Sequence, residues 1–177
     1  KDYSKALTSF ESILKIVTDD EQAILNAAYS ADRAGDKNRA KGYYGKLIDK
    51  NFKESRIYIF QSGLLKELGD TTAALAVVQK GRQLFPSDNN LIIEELNFYL
   101  FRGDDVKAME VMDAAIQSDP ANASLYFARG TVYDRMGKKD DAANSYQKAI
   151  ELKPDYFDAY YNLGAMYFNE AAELANK

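Results

Sequence analysis

Pairs of neighbouring acidic residues are the groups in this sequence whose type and spacing would suit metal binding or acid–base chemistry. Two adjacent carboxylates can hold a divalent cation when further oxygen ligands converge on it. The chain has no cysteine and no histidine, so thiolate nucleophiles, imidazole bases and the usual zinc sites are excluded. The acidic clusters are the triplet Asp19-Asp20-Glu21 and the pairs Glu94-Glu95, Asp104-Asp105 and Asp140-Asp141.

Two of these pairs are better explained as the starts of helices. Asp104-Asp105 follows Gly103, and Asp140-Asp141 follows Gly137 within the stretch GKKDD. A carboxylate at a helix N-terminus accepts hydrogen bonds from free backbone N–H groups and complements the helix dipole. We therefore expect the pair at 104–105, and either Asp140 or Asp141, to cap helices. We predict neither a metal site nor a catalytic site, and hence a protein that is not an enzyme.

Composition narrows the class of partner. The 177 residues are 46% hydrophobic and carry a net charge of -4, with a pI near 5.0. An acidic chain without clustered Lys and Arg lacks the charge that binds phosphate backbones, so nucleic acid is disfavoured. No apolar run reaches the roughly 18 residues that span a bilayer, and no glycine-rich phosphate-binding motif is present. We predict no cofactor, no nucleic acid and no direct membrane insertion.

The sequence repeats itself every 34 residues. All three prolines keep this interval, and columns of glycine and alanine keep the same phase. A fixed period of this length is typical of a repeat protein whose units share one local structure. The columns are Pro86, Pro120 and Pro154; Gly35, Gly69, Gly103 and Gly137; and Ala6, Ala40, Ala74, Ala108 and Ala142.

Within one unit the apolar residues have helical spacing. Ala142, Tyr146, Ala149 and Ile150 lie at i, i+4, i+7 and i+8, which places them on one face of a helix. Glycine allows the left-handed backbone that ends many helices, and proline cannot continue a helix. Each unit is therefore predicted as two helices joined by a glycine turn and followed by a proline-marked turn. The expected fold is all-α, an α-solenoid of stacked antiparallel helical hairpins.

The period and its columns resemble the tetratricopeptide repeat (TPR) family, of the bacterial type. Residues 123–156 match the family pattern best, at Tyr126, Gly130, Tyr133, Ala142, Tyr146, Ala149 and Pro154. The resemblance implies a single TPR domain over residues 1–177, whose ends each lack half a hairpin, so the sequence is expected to be a fragment. The expected parts are the second helix of a partial repeat at 1–20, containing a helix from about Tyr3 to Ile16; full repeats at 21–54, 55–88, 89–122 and 123–156; and the first helix of a further repeat at 157–177.

In the TPR family the first helix of each hairpin lines a concave groove that receives a peptide. The resemblance assigns that role to residues at matching positions of successive repeats. One such column lies beside a core column that includes Tyr126 and Tyr160. It forms an apolar ladder of Leu25, Ile59, Ile93, Phe127 and Tyr161. Core packing is the alternative explanation for the ladder, as solvation is for the asparagines. The expected groove residues are Leu25, Asn26, Tyr29, Ile59, Phe60, Ile93, Asn97, Phe127, Thr131, Tyr161 and Asn162.

Two columns depart from family patterns. TPR domains that bind chaperone C-termini begin their groove with lysine, whereas the matching places here hold Leu25, Ile59 or Ile93, so binding of chaperone tails is not expected. A column that the family usually fills with leucine reads Gln61, Glu95 and Arg129.

The expected function is a non-catalytic protein–protein interaction scaffold that binds a peptide or extended partner segment in the groove. The alternative is a structural spacer or self-association module of a larger multidomain protein, joined through the open ends of the solenoid. The sequence does not identify the partner. The resemblance leans towards proteins of the bacterial cell envelope or periplasm over the cytoplasm, but the repeats themselves do not report a compartment.

Overall fold

The computed structural model describes residues 2–175, and within that range the chain forms ten helices and no strand. The all-α prediction is confirmed, and the opening helix has the predicted bounds. The limits of the sequence repeats stay a prediction. The helices are α1 Tyr3–Ile16, α2 Glu21–Arg33, α3 Lys37–Asp49, α4 Ser55–Glu67, α5 Thr71–Leu84, α6 Asn89–Arg102, α7 Asp105–Ser118, α8 Ala123–Arg135, α9 Lys139–Leu152 and α10 Phe157–Ala175.

The chain divides into two compact units, with the boundary inside α6. Unit 1 is Lys1–Leu91 and unit 2 is Ile92–Lys177. In each unit the core includes the alanine column and a second column of the same 34-residue phase, the bulky residues Tyr44, Val78, Met112 and Tyr146. A small residue on one helix lets a large one on its neighbour pack closely. Fully buried side chains in unit 1 include Tyr44, Leu47, Ile57, Tyr58 and Val78, and those in unit 2 include Met112, Leu125, Val132 and Tyr146.

Glycines in the packed columns allow helices to approach closely. A Cβ built on Gly130 of α8 would lie 2.5 Å from Cε1 of Tyr146 on α9. A Cβ built on Gly81 of α5 would lie 2.9 Å from Cβ of Tyr58 on α4. Both separations are well inside van der Waals contact, so these two positions accept no side chain without a shift of the neighbouring helix.

The turns inside the hairpins follow one pattern. Gly35, Gly69, Gly103 and Gly137 all have positive φ, between 72° and 84°, which is the left-handed region that a helix C-cap uses. The next residue caps the following helix in three of the four turns, as Asp36, Asp70 and Asp104 each accept a hydrogen bond from the backbone N–H three residues later.

The fourth turn is different, and one capping prediction is wrong. The N-cap of α9 is Lys138, which makes no side-chain capping hydrogen bond. Asp140 and Asp141 lie one and two residues inside the helix, in its first turn, where they complement the dipole without capping. The prediction for the pair at 104–105 is confirmed, since Asp104 accepts from the N–H of Lys107 at 3.2 Å.

Candidate functional site

In unit 1 the first helices α2 and α4 place two aromatic side chains over a tyrosine of the second helix α3. The ring centroid of Tyr29 lies 6.0 Å from that of Tyr44 and 5.9 Å from that of Phe60, and the centroids of Tyr44 and Phe60 are 6.0 Å apart. Two of these three pairs meet nearly edge to face, the geometry that aromatic quadrupoles favour. Tyr44 is fully buried, whereas Phe60 keeps 38% of its surface exposed.

A charged group borders this aromatic cluster. The Tyr29 hydroxyl donates to Oε1 of Glu54 at 3.2 Å, and Nε of Arg56 donates to the same oxygen at 2.9 Å. Burial, and then the charge of Glu54 and its hydrogen bond, raises the pKa of the Tyr29 hydroxyl. The Tyr29 hydroxyl therefore stays protonated at neutral pH and donates to the Glu54 carboxylate, which Arg56 holds in position.

The hydroxyl of Tyr44 is buried beneath the cluster. Within residues 2–175 it has no hydrogen-bond partner, and burial raises its pKa. An unsatisfied buried hydroxyl is costly, so Tyr44 lowers the stability of unit 1 at this position.

The other predicted groove residues of unit 1 have different surroundings. Asn26 is half-buried and its Oδ1 accepts from Nε2 of Gln22 at 3.3 Å. Ile59 is half-buried. Leu25 keeps only 7% of its surface exposed and packs in the core, so for this member of the ladder the core-packing explanation fits, and Leu25 has little surface to offer a peptide.

In unit 2, Phe127 of α8 forms the aromatic part of the surface. Its ring centroid is 5.8 Å from that of Tyr146 and 5.0 Å from that of Tyr156, and the ring is half-buried. Nδ2 of Asn162 donates to the hydroxyl of the same Tyr146 at 3.4 Å. Thr131 is half-buried and its hydroxyl donates to the backbone oxygen of Ala128 at 2.7 Å.

The remaining predicted groove residues of unit 2 are exposed. Ile93 keeps 38% of its surface in solvent, and Asn97 is exposed on the same helix, α6. Tyr161 is 67% exposed and stacks on Phe157, with 6.3 Å between centroids. Tyr160 was expected in the core column, but it is 51% exposed, so that expectation is wrong. The reason is that Tyr160 lies on α10, the last described helix, and no later described helix covers it.

Sequence reasoning missed the two tyrosines that support these surfaces. Tyr44 touches Tyr29 and Phe60, and Tyr146 touches Phe127 and Asn162, so each joins two predicted groove residues of its own unit. Their shared column of bulky residues was the available signal. A column shows that a residue packs, but it does not show which residues its ring and hydroxyl contact.

The surfaces offer aromatic, apolar, amide and hydroxyl groups. No cluster of three or more possible metal-ligating side chains occurs within residues 2–175. None of the helices over the same range is long and apolar enough to cross a bilayer. Aromatic and apolar groups can pack against other apolar groups, and the amide and hydroxyl groups can donate and accept hydrogen bonds.

Comparisons with known proteins agree with the helical repeat. Family models described as TPR repeat and tetratricopeptide repeat match residues 135–170 and 22–54. Tetratricopeptide repeat protein 37 of Xenopus laevis is 27% identical over 169 residues, which cover 94% of this chain and 11% of that protein. The chain thus spans about a tenth of the length of that relative and of the similar superkiller complex protein 3 of mouse and human.

Solved structures show the same fold. The C-terminal part of a TPR repeat-containing protein from Cytophaga hutchinsonii superposes with a TM-score of 0.77 at 14% identity, over 97% of this chain and 67% of that one. The TPR protein YrrB superposes with a TM-score of 0.67 at 19% identity, over 90% of this chain and 82% of that one. At these identities the likeness concerns the fold alone.

Proposed function

Because the chain belongs to the tetratricopeptide-repeat family, whose members are in general non-catalytic protein–protein interaction modules, we propose that it binds an extended peptide segment of a partner protein. The binding surfaces in this proposal are the first-helix surfaces, defined as Asn26, Tyr29, Ile59 and Phe60 in unit 1 and Ile93, Asn97, Phe127, Thr131, Tyr161 and Asn162 in unit 2. Leu25 is omitted because it is buried.

The observation that carries the proposal is the partial exposure of large apolar side chains on first helices. Phe60 of α4 and Ile93 of α6 each keep 38% of their surface in solvent. Such side chains gain roughly 25 cal/mol for each Å² that a ligand removes from water. Apolar residues of a bound peptide would therefore sit against Phe60 in unit 1 and against Ile93 in unit 2.

Polar groups beside the apolar ones suit a peptide backbone. The exposed amide of Asn97 has both a donor and an acceptor, one turn after Ile93 on the same helix. An extended segment presents an amide and a carbonyl at every residue, and its side chains alternate between faces. Asn97 is thus placed to hold the backbone while Ile93 contacts a side chain.

One structural neighbour provides a precedent. YrrB is described as a TPR protein with an unusual peptide-binding site. The same fold can therefore carry such a site, and here the first-helix surfaces are the proposed equivalent.

The proposal is tested by selecting binders from a displayed library of random linear peptides and measuring their affinity by calorimetry. Replacing Ile93 by Glu, or Asn97 by Ala, should weaken a peptide that contacts unit 2 by at least about tenfold. The matched control is Val106→Glu, which introduces the same charge at a 70% exposed aliphatic residue on the second helix α7. Equal losses at Ile93 and Val106, or no loss at Ile93 and Asn97, would contradict the proposal.

Light scattering on the same samples examines the alternative of a self-association module. A concentration-independent monomer that still binds peptide favours the scaffold, whereas association without peptide binding favours the alternative. Location in a bacterial cell envelope stays a prediction.

A further inference from the structure

Unit 1 has a second concave feature, on helices α3, α4 and α5. It is a cleft of about 390 Å³, large enough for an aromatic side chain. Lys41, Lys46 and Asp49 lie at its rim, and its walls include the apolar side chains of Ile48, Ala73 and Val77. The cleft is also lined by Gly42 and Gly45 of α3 and by Gln61 and Leu65 of α4.

The cleft is separate from the first-helix surface. An α-helix turns by about 100° per residue, so Gln61 and Leu65 lie on the other side of α4 from Ile59 and Phe60. None of the proposed peptide-binding residues lines the cleft. It therefore represents a different site from the one proposed above.

A buried polar side chain forms part of the cleft. Gln61 keeps only 6% of its surface exposed, and its Oε1 has no hydrogen-bond partner among residues 2–175. Gln61 belongs to a column that TPR proteins usually fill with leucine, so it departs from the family pattern at a buried position. A buried amide oxygen without a donor costs free energy, and a donor supplied by a ligand would remove that cost.

The matching residue in unit 2 has its polar partners within the chain. Two repeats after Gln61 stands Arg129, whose Nε donates to the hydroxyl of Ser145 at 3.3 Å and whose Nη1 lies 4.0 Å from Oδ1 of Asp113. In unit 1 the residues at the places of Asp113 and Ser145 are Gly45 and Val77. Neither has a polar side chain, so the local partners that satisfy Arg129 have no counterpart around Gln61.

Packing within the chain does not demand the two glycines. A Cβ on Gly42 would meet nothing within 4 Å, and a Cβ on Gly45 would lie 3.8 Å from Nε2 of Gln61, an ordinary contact. Glycine inside a helix costs about 1 kcal/mol relative to alanine. The chain thus keeps two unfavourable residues that leave the cleft open above a buried amide.

We propose that this cleft binds a tryptophan side chain of a partner protein, with the indole N–H donating to Oε1 of Gln61. The walls formed by Ile48, Ala73 and Val77 suit the flat apolar ring, and the glycines let it approach the backbone of α3. The rim carries two lysines and one carboxylate, Asp49, so its net positive charge disfavours a cationic donor such as Lys or Arg. Because the rim is open, the side chain can enter from a folded partner, where a small ligand would remain half in solvent.

The test uses N-acetyl-L-tryptophanamide as the probe, followed through the backbone amide resonances of Gly42 and Gly45. We expect saturable shifts at both glycines. The 1-methyl analogue of the probe has the same ring without the N–H donor, and it should bind at least about fivefold more weakly. Absence of saturable shifts, or equal binding of the two probes, would overturn the proposal.

Variants identify the acceptor. Gln61→Leu restores the residue typical of the column and should remove the difference between the two probes. The triple change Gly45→Asp, Gln61→Arg and Val77→Ser copies the arrangement of unit 2 and should abolish binding by filling the cleft. Gly63→Ala is the matched control, since Gly63 also lies inside α4, its added Cβ would meet nothing within 4 Å, and it does not line the cleft.

Two outcomes separate this site from other possibilities. If Gln61→Leu keeps full discrimination between the probes, Gln61 is not the acceptor and the assignment is wrong. If N-acetyl-L-phenylalaninamide binds as tightly as the tryptophan derivative, the cleft does not select an indole and the assignment of tryptophan is wrong.

Discussion

Nδ2 of Asn162 donates to the hydroxyl of Tyr146 at 3.4 Å, whereas Tyr44, three repeats earlier, has no such partner because Phe60 stands at the place of the asparagine. The same buried tyrosine is therefore satisfied in unit 2 and unsatisfied in unit 1. This difference predicts opposite effects for the same substitution.

Removing the two hydroxyls in turn tests that difference. Tyr146→Phe should lower the free energy of unfolding by about 0.5–1 kcal/mol, because it deletes a hydrogen bond. Tyr44→Phe should raise it by about 1 kcal/mol or more, because it deletes a buried donor that has no acceptor. Urea denaturation of both variants measures the two changes. Equal losses of stability would mean that the hydroxyl of Tyr44 is satisfied in solution.

Alanine substitutions at two glycines of one repeat column should change the free energy of unfolding in opposite directions. Gly130→Ala places a Cβ 2.5 Å from the ring of Tyr146 and should lower the free energy of unfolding by about 1–3 kcal/mol. Gly164→Ala adds a Cβ with nothing within 4 Å and should raise it by about 0.5–1 kcal/mol through helix propensity. Thermal and urea unfolding check both, and tolerance of alanine at Gly130 would contradict the close packing of α8 and α9.

The uncapped start of α9 can be repaired. Lys138→Asp copies the other three glycine turns and should raise the melting temperature by roughly 2–4 °C. Lys138→Glu makes the same change of charge with a poor capping residue, and both variants lose the ammonium that lies 5.8 Å above the ring of Tyr133. The difference between the two variants by calorimetry therefore isolates the cap. No difference would show that Asp140 and Asp141 already supply what the helix start requires.

Tyr43 provides a pH-dependent test in unit 1. Burial, and then a 2.9 Å hydrogen bond to Glu11 and its charge, raises the pKa of Tyr43 to about 12. In the unfolded chain a tyrosine has a pKa near ~10, so the folded state favours the protonated ring. This contribution to stability is fully present below pH ~10 and is lost as the pH rises towards the folded pKa.

The measurement for Tyr43 is the ¹³Cζ shift of its ring during an alkaline titration. Glu11→Gln should lower the pKa of Tyr43, because it removes the carboxylate charge and weakens the hydrogen bond. Burial is the larger cause, so the pKa should stay above that of an unfolded peptide. An unchanged pKa in the variant would mean that Glu11 does not contact Tyr43 in solution.

The 34-residue period was enough to predict the hairpins. Glycine and proline mark where a helix cannot continue, so the helix order and the left-handed turns follow from local chemistry. Individual exposures depend on residues far apart in sequence. Leu25 is buried although it shares a column with the exposed Ile93, because a column fixes the direction of a side chain on its helix and leaves undetermined what lies opposite.

The candidate sites were predictable only in part. The repeat columns on the first helices predicted that Phe60 and Asn97 are groove residues, and both side chains are exposed at the surface of their units. The two supporting tyrosines and the cleft at Gln61 were not predicted, since each is defined by which partner is missing on a neighbouring helix. The unusual glutamine in a leucine column was the available signal for the cleft.

Chemical-shift mapping of a selected peptide tests most directly whether partner peptides bind the first helices. We expect shifts in unit 1 to concentrate on α2 and α4 around Tyr29 and Phe60, or in unit 2 on α6 and α8 around Asn97 and Thr131. Phe60→Ala should weaken binding to unit 1, and Ile93→Glu should weaken binding to unit 2. Saturable shifts confined to the second helices α3, α5, α7 and α9, with none on the first helices, would contradict binding by the first helices.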